Sequence, residues 1–242
     1  MRVIIPAAGV GTRLQPLTND LPKCMIEIQG KPLISYLLRP LKRLKVSEVV
    51  IVAGHKKEPL QQYIETERDF PPVRFIDNDQ YDRTNSIVSI ALTRDLWDEP
   101  FCIIDSDLLL RPKLTELLFA REDTFLIIDA TKQYEQIDMK VKIEDGRFVT
   151  MDKTLLRDSA QGEFFGLSRW MPREAKVFSQ VIDEFLKHGD TGVWYEWAIR
   201  DVAKRIDLRV QTCDTNLWYE IDNERDYEIA KDLMQEWALE WT

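Results

Sequence analysis

Short β-branched runs alternate with stretches of helical periodicity through the first half of the sequence, and this alternation limits the fold more than any other feature. The predicted buried strands are Arg2–Ile5, Val49–Ala53, Val73–Ile76 and Phe101–Ile104. The predicted helices between them are Leu33–Lys45, Glu58–Glu67 and Asn85–Leu96. Such alternation favours an α/β fold with a mostly parallel sheet and helices on both faces. In sheets of this kind, ligands bind at the carboxyl ends of the strands.

The second half of the chain has a different order of predicted elements, with several strands in succession and longer helices. Asp145-Gly146 is a strong hairpin-turn signal between two of these strands. The predicted strands are Phe125–Asp129, Met139–Ile143, Arg147–Met151, Leu208–Cys213 and Leu217–Ile221, and the predicted helices are Pro172–Lys187, Tyr195–Lys204 and a final one from about Glu224. Because no repeat, low-complexity segment or linker interrupts the chain, residues 1–242 are predicted to form a single domain with a small antiparallel insertion.

Charge and hydropathy exclude several classes of function. The formal net charge of −9 argues against nucleic-acid binding through phosphate contacts. The longest apolar runs are far too short to span a bilayer, so no membrane insertion is expected. The start of the chain lacks the apolar stretch of a signal peptide, and the three cysteines are scattered without metal-ligand spacing. The sequence therefore predicts a cytoplasmic protein with free thiols.

A glycine-rich segment, Ala7–Leu14 (AAGVGTRL), directly follows the first predicted strand. Small residues here let backbone N–H groups approach a polyphosphate and form an anion-binding nest. The segment is neither a P-loop, which ends in Gly-Lys-Ser/Thr, nor a dinucleotide fingerprint, which needs glycine where Leu14 stands. Arg13 and Lys23 are suited to neutralise phosphate oxygens and a departing pyrophosphate. Taken alone, these two cations could equally be solvated surface charges.

The continuous motif from Pro6 to Thr18 (PAAGVGTRLQPLT), followed by Pro22-Lys23, resembles the nucleotidyltransferase family that makes nucleotide sugars and CDP-activated alcohols. The family usually has leucine where this chain has Pro6, which should alter the strand end without removing a phosphate contact. With the strand–helix alternation, the resemblance implies a Rossmann-like, mostly parallel mixed sheet, with the antiparallel insertion over the acceptor site. It also implies that Arg13 and Lys23 are the catalytic cations. The implied nucleotide cradle consists of Ala7, Ala8, Gly9, Gly11, Thr12 and Arg13, together with Lys23.

Two acidic segments lie at the ends of predicted strands. Asp107, in an Asp-Ser-Asp segment after Phe101–Ile104, is a hard-oxygen ligand suited to Mg²⁺, although capping aspartates in a turn have the same spacing. Glu220 and Asp222 point to the same side of an extended strand. Asp222 could instead cap the helix that starts near Glu224. The resemblance implies that Asp107 and Asp222 bind one Mg²⁺, with Glu220 as a weaker third ligand.

The segment from residue 78 to residue 89 distinguishes two branches of the family. Sugar-nucleotide members usually have Gly-Thr-Ala before the third helix, whereas this chain has Thr84-Asn85-Ser86, preceded by Asn78–Tyr81. This pattern resembles the cytidylyltransferase branch that activates phosphocholine or 2-aminoethylphosphonate. It implies that Asn85 and Ser86 lie near the base or ribose of CTP. Both residues could equally cap the helix that follows.

Segments 139–142 (MKVK) and 162–167 (GEFFGL) also resemble phosphonate-handling members of the family. This resemblance implies that Lys140 faces the acceptor phosphonate and that Glu163 faces its polar or cationic end, although both could be ordinary strand residues. Aromatic residues are dense from residue 194 to residue 219. An aromatic wall beside a carboxylate such as Glu196 suits an ammonium group through cation–π attraction. Trp218 is predicted to contribute to this wall, although most aromatics in an α/β domain are core residues.

These features together predict a Mg²⁺-dependent cytidylyltransferase. It would transfer CMP from CTP to a small amino- or choline-bearing phosphate or phosphonate acceptor by in-line displacement, and release pyrophosphate. The alternatives are a sugar-1-phosphate nucleotidyltransferase using UTP or dTTP, and a cytidylyltransferase for another phosphorylated metabolite of capsule or lipid synthesis. A non-catalytic regulatory domain is disfavoured because Arg13, Lys23, Asp107 and Asp222 are all present. The sequence leaves open whether the chain forms a homodimer.

Overall fold

The structure, a computed structural model, describes residues 1–131 and 138–237. Its strands are β1 Arg2–Ala7, β2 Glu27–Ile28, β3 Lys31–Pro32, β4 Glu48–Ala53, β5 Val73–Asp77, β6 Phe101–Ile104, β7 Leu108–Leu110, β8 Phe125–Asp129, β9 Lys140–Glu144, β10 Arg147–Asp152, β11 Gly162–Trp170, β12 Arg209–Cys213 and β13 Trp218–Glu220. Its α-helices are α1 Leu33–Lys42, α2 Lys57–Thr66, α3 Ser86–Ala91, α4 Pro112–Leu117, α5 Pro172–Lys187, α6 Tyr195–Val202 and α7 Glu224–Trp237.

Within the described residues, nine strands form one mixed sheet in the order β5-β4-β1-β6-β11-β8-β12-β10-β9. Strands β5, β4, β1 and β6 are parallel, whereas β11 is antiparallel to both of its neighbours, β6 and β8. The carboxyl ends of β1 and β6 therefore lie at one edge of the sheet, where a ligand site is expected. This architecture confirms the predicted α/β fold with a mixed central sheet.

Helices cover both faces of this sheet because the strands in its centre are apolar on both sides. Along β1, Val3 and Ile5 belong to one buried cluster and Ile4 belongs to another. The first cluster includes residues of α1 and α2, and the second includes residues of α3, α5 and α6. Alternating side chains of a strand point to opposite faces, so one apolar strand contributes to two cores.

Proline and local capping shorten two of the predicted helices. Helix α1 ends at Lys42 instead of Lys45, shortly after Pro40, which has no N–H to donate within the helix. The helix predicted over Asn85–Leu96 is divided into α3 and a separate 3₁₀ turn at Arg94–Leu96. Both helices therefore begin close to where the periodicity predicts them, and the differences lie toward their C-terminal ends.

Strand β11 was not among the predicted elements, although it lies near the centre of the sheet. All nine of its residues are buried, including Glu163 and Arg169. The Arg169 guanidinium donates a hydrogen bond from Nη1 to the carbonyl oxygen of Leu118, 2.8 Å away. Two charged residues and two glycines weaken the strand signal of this segment, and only the tertiary structure provides their partners.

The predicted antiparallel insertion is the hairpin of β9 and β10, and it continues the edge of the main sheet. Its turn places Asp145 and Gly146 at φ values of 50° and 72°, in the left-handed region that this hairpin turn requires. Strand β9 also pairs with the beginning of β11. None of the helices in the described ranges is long and apolar enough to cross a membrane.

Candidate active site

A cleft of about 400 Å³ lies at the carboxyl ends of β1 and β6. The segment after β1, the segment after β6 and the N-terminal end of α3 contribute to its lining. Residues of β11 and β13, the first turn of α6 and several connecting segments also contribute to the described part of the wall. The location agrees with the general rule that ligands of open α/β sheets bind beyond the carboxyl ends of the strands.

The glycine-rich segment after β1 forms one side of this cleft. Gly11 has a φ of 67°, and a Cβ atom there would lie 3.2 Å from the Cβ of Lys23. The carbonyl oxygen of Gly11 accepts a 2.8 Å hydrogen bond from the Thr18 hydroxyl, which holds the loop against the following turn. A Cβ at Gly9 would meet no atom within 4 Å, so the backbone faces open space. Glycine at position 11 thus lets the loop pack directly on Lys23.

Lys23 connects the loop to both acidic segments. Its Nζ lies 2.7 Å from Oδ2 of Asp107 and 2.8 Å from Oδ1 of Asp222. Arg13 contacts the same Oδ1 of Asp222 at 2.9 Å, and its side chain remains 63% exposed. The fold therefore brings together two cations and two carboxylates that the sequence separates by up to about 200 residues.

A short antiparallel ribbon sets the spacing of the acidic residues. Strand β7 begins immediately after Asp107, and its first residue, Leu108, pairs with Glu220 at the end of β13. The backbone N–H of Ile221 donates to the carbonyl oxygen of Asp107 at 3.0 Å. Among the described residues, Asp107, Glu220 and Asp222 form a group whose ligand oxygens all lie within 4.8 Å of one another. We call these three residues the three-carboxylate cluster.

The protonation behaviour of this cluster depends on its cations. Burial would lower the pKa of Lys23, but the negative charges of the three-carboxylate cluster raise it above its usual range. Burial would raise the pKa of Asp222, but Lys23 and Arg13 hold it below its usual value. Burial, with the charges of Asp107 and Asp222, raises the pKa of Glu220 well above its usual value.

The donor set of the three-carboxylate cluster fits a divalent cation. All of its ligand atoms are carboxylate oxygens, the type that Mg²⁺ prefers. Crowded carboxylates repel one another, and Lys23 at 2.7 and 2.8 Å already shows that a positive charge is accommodated between Asp107 and Asp222. Asp107, Asp222 and Glu220 could therefore hold the metal that the resemblance implies.

A second set of lining residues joins the segment after β6 to the first turn of α6. We call these residues, Asp105, Tyr195 and Glu196, the Glu196 wall. The Tyr195 hydroxyl donates a 3.1 Å hydrogen bond to Oδ1 of Asp105. Burial raises the pKa of Glu196 to about 7, although its backbone hydrogen bond and Lys153 oppose the shift. Burial, with the charge of Glu196, raises the pKa of Asp105 well above its usual value. Gly166 packs so closely on Asp105 that a Cβ atom would overlap its carboxylate.

Asn85 and Ser86 line the cleft and also cap helices. The Asn85 side-chain oxygen accepts a 2.7 Å hydrogen bond from the N–H of Ser86, at the N-terminal end of α3. The Ser86 hydroxyl oxygen accepts from the N–H of Tyr195 at 3.0 Å, at the start of α6. Helix capping is thus compatible with a position near the base or ribose of CTP, because Asn85 and Ser86 remain in the cleft wall while they cap.

The residues predicted to contact the acceptor occupy two different environments. Glu163 and Glu196 line the cleft. Lys140 and Trp218 are buried and are not among its described lining residues. Trp218 stacks on Phe165 with ring centroids 4.0 Å apart and donates from its indole nitrogen to Asp129 at 2.9 Å. Trp218 therefore belongs to the core beneath the cleft.

Asp105, Trp194 and Lys153 also line the cleft, although none of them is among the individually predicted site residues. Asp105 is the first residue of the Asp-Ser-Asp segment, whose paired carboxylates were the available signal for a second acid. Trp194, 37% exposed, precedes α6, and the Nζ of Lys153 lies 4.5 Å from the centroid of its ring. Lys153 follows the hairpin strand β10, so its approach to α6 depends on tertiary structure and gives no local signal.

Comparisons with known proteins bear on the family and the fold of this chain. Residues 2–135 match the family described as Nucleotidyl transferase. The choline-phosphate cytidylyltransferase of Streptococcus pneumoniae is 27% identical over 240 residues, which cover 97% of this chain and 99% of that protein. The 2-aminoethylphosphonate cytidylyltransferase of Lancefieldella rimae is 34% identical over 223 residues, which cover 91% of this chain and 87% of that protein. The solved structure of the Streptococcus pneumoniae CTP:phosphocholine cytidylyltransferase matches with a TM-score of 0.77 at 26% identity, over 96% of this chain and 98% of that chain.

Proposed function

This chain belongs to the nucleotidyl transferase family, and we propose that it transfers CMP from CTP to a small phosphate or phosphonate acceptor that carries an amino or choline group. The main support for this proposal is that Lys23 forms ion pairs with both Asp107 and Asp222 beside the glycine-rich loop. The same cleft contains Glu196, whose position suits the cationic end of such an acceptor. The names of the two relatives described above support this choice of nucleotide and acceptor.

The phosphates of CTP would lie along the backbone of the loop, near Arg13 and Lys23. Backbone N–H groups and the two side chains would neutralise the negative charge that develops on the departing pyrophosphate. Lys23 is well suited to this role because its raised pKa keeps it cationic at every relevant pH. Asn85 and Ser86, at the start of α3, would contact the base or ribose.

Magnesium dependence is part of the proposal. Asp107 and Asp222 would hold Mg²⁺, with Glu220 as a third ligand. When bound there, Mg²⁺ would neutralise phosphate oxygens and make the α-phosphorus more electrophilic.

The reaction would be an in-line displacement. An acceptor oxygen forms a bond to the α-phosphorus of CTP, while the bond from that phosphorus to the oxygen bridging the α- and β-phosphates breaks. The departing oxygen keeps its electron pair and leaves as part of pyrophosphate. Because the acceptor oxygen is already anionic near neutral pH, the reaction needs no general base and no covalent intermediate.

A matrix of nucleotides and acceptors tests this function. We expect pyrophosphate release with Mg²⁺ and CTP when phosphocholine, phosphoethanolamine or 2-aminoethylphosphonate is the acceptor. CTP would be replaced by UTP, dTTP, ATP or GTP in turn, and the acceptor by glucose-1-phosphate. Turnover only of glucose-1-phosphate with UTP or dTTP would contradict the proposed base and acceptor and favour the sugar-nucleotide alternative.

A further inference from the structure

The charges that line the cleft are unequal. The described lining residues include seven carboxylates and three cationic side chains. Three of the carboxylates form the three-carboxylate cluster, and Arg13 and Lys23 contact that cluster. Away from this cluster, carboxylates outnumber cations among the described lining residues, where Lys153 is the remaining cation. An excess of acidic side chains in a concave site favours a ligand whose nearby end is cationic.

Glu196 has an oxygen that lacks a partner within the described part of the protein. Its Oε2 atom is buried and accepts no hydrogen bond there. A buried carboxylate oxygen without a donor is unfavourable, and such groups in native proteins generally receive a hydrogen bond from a ligand, a water molecule or an ion. Because Glu196 lines the cleft, a donor carried by the acceptor can reach this side chain.

Asp105 and Tyr195 provide further acceptor oxygens beside Glu196. The hydroxyl of Tyr195 donates to Oδ1 of Asp105, so its own lone pairs remain available. Tyr195 and Glu196 are consecutive residues at the start of α6, and both line the cleft with Asp105. Gly166 fixes Asp105 by close packing. The Glu196 wall is therefore an array of oxygens that accept hydrogen bonds.

The most exposed aromatic side chain of the described lining already contacts a cation. Trp194 has the most exposed ring among the described aromatic residues of the lining, at 37%. Lys153 already places its ammonium group 4.5 Å from the centroid of that ring. A quaternary ammonium, which has no N–H, depends on such ring faces for its attraction. A primary ammonium instead needs oxygens that accept its N–H groups.

We propose that the Glu196 wall selects an acceptor with a primary ammonium group and discriminates against a quaternary one. The ammonium group donates to Glu196 and to the neighbouring oxygens of Tyr195 and Asp105. This inference rests on the proposed cytidylyl transfer and specifies its acceptor class as a small aminoalkyl phosphate or phosphonate. The site chemistry is the same for phosphate and phosphonate, so both belong in the test.

A methylation series measures the discrimination directly. The acceptors are phosphoethanolamine, its N-methyl and N,N-dimethyl derivatives, and phosphocholine, with 2-aminoethylphosphonate as the phosphonate arm. Each methyl group removes one N–H and leaves the positive charge. We expect kcat/KM to fall along the series, by about 100-fold overall. Each methyl group that replaces an N–H leaves an acceptor oxygen of the protein without its charged hydrogen bond, which is unfavourable. A phosphonate preference would appear as a higher kcat/KM for 2-aminoethylphosphonate than for phosphoethanolamine.

The variant Glu196→Gln separates hydrogen bonding to this residue from other causes of a preference. It should reduce the preference for phosphoethanolamine over phosphocholine to less than about tenfold and leave the KM for CTP unchanged. Glu122→Gln, at an exposed position, is the matched control and should retain the full series. A flat series, or one that rises toward phosphocholine, would overturn the inference and leave cytidylyl transfer intact. No CTP turnover with any acceptor would instead contradict the proposed function itself.

Discussion

The three-carboxylate cluster and the Glu196 wall line the same cleft, but their charges are balanced differently. In the cluster, Lys23 and Arg13 contact Asp222 and hold its pKa below the usual value. In the wall, burial raises the pKa of Glu196 to about 7, and the opposing effect of Lys153 is smaller. The fold thus keeps Asp222 ionised and leaves Glu196 without full compensation, according to where it places cations. The first arrangement suits a metal, and the second suits a cation that arrives with a ligand.

The largest effect is expected from the cluster. Asp107→Asn should lower the rate of CTP-dependent pyrophosphate release by about 1,000-fold or more, because it removes the charge of a proposed metal ligand and of a partner of Lys23. Circular dichroism and thermal unfolding would establish that the variant folds. Asp158→Asn, at an exposed position, provides the control. An unchanged rate in Asp107→Asn would overturn the metal assignment.

Removing the central cation should have the next largest effect. Lys23→Met keeps an aliphatic side chain of similar length, and we expect kcat to fall by about 100-fold, because charge on the departing pyrophosphate is no longer neutralised. This variant loses the ion pairs of Nζ with Asp107 and Asp222 and keeps the contact of Arg13 with Asp222. Steady-state kinetics would compare this variant with Lys113→Met, whose side chain is exposed. Equal kcat values for the two variants would show that Lys23 has only a structural role.

The wall should respond to pH near neutrality through Glu196. Glu196 must be ionised to bind an ammonium group, and its pKa near 7 means that the acceptor KM should fall by about tenfold from pH 6 to pH 8. Folding stability has the opposite trend, because a raised pKa favours the protonated side chain in the folded state and this contribution is lost as pH rises through about 7. The pKa of Glu196 is also affected by Lys153, which lowers it, and by Asp107, which raises it. The pKa values of Asp105 and Tyr195 are affected by burial and by the hydrogen bond between them.

The difference between the wild-type and Glu196→Gln profiles isolates the titration of Glu196 from that of the acceptor phosphate. The acceptor KM of Glu196→Gln should retain only the dependence that the acceptor itself contributes. Parallel profiles for the two proteins would argue against Glu196 as the titrating group.

The smallest effect on catalysis is expected at Trp218, which lies in the core. Trp218→Phe preserves a ring that can stack on Phe165 but removes the indole donor to Asp129. We expect a loss of about 1–3 kcal/mol in the free energy of unfolding and less than a twofold change in acceptor KM. Chemical denaturation and steady-state kinetics would measure the two quantities. A large rise in acceptor KM with unchanged stability would support the original prediction of an acceptor contact.

Sequence patterns predicted the parallel half of the sheet well, because its strands are short, apolar and separated by periodic helices. The limits of β6 agree with the predicted range, and those of β1, β4 and β5 differ from their predicted ranges by at most two residues. Strand β11 was missed because Glu163 and Arg169 oppose a buried assignment until their tertiary partners are known. Its place between β6 and β8 also converts part of the sheet to antiparallel pairing, which no local pattern indicates.

The candidate site could be predicted where chemistry is local and not where it depends on packing. Arg13 and Lys23 follow the glycine-rich loop, and the acidic segments end predicted strands, so their approach at the sheet edge was foreseeable. Trp218 was predicted from aromatic density alone, whereas its stacking on Phe165 places it in the core. The contact of Lys153 with Trp194 joins two segments that have no shared pattern in the sequence.

The most direct test of the account is identification of the reaction product by ³¹P NMR, with CTP, Mg²⁺ and 2-aminoethylphosphonate as the reactants. We expect two mutually coupled phosphorus signals from a new P–O–P linkage between CMP and the phosphonate, together with an equal amount of free pyrophosphate. Addition of a chelator should stop the reaction. Unchanged CTP, or release of free CMP without a coupled phosphonate signal, would contradict it.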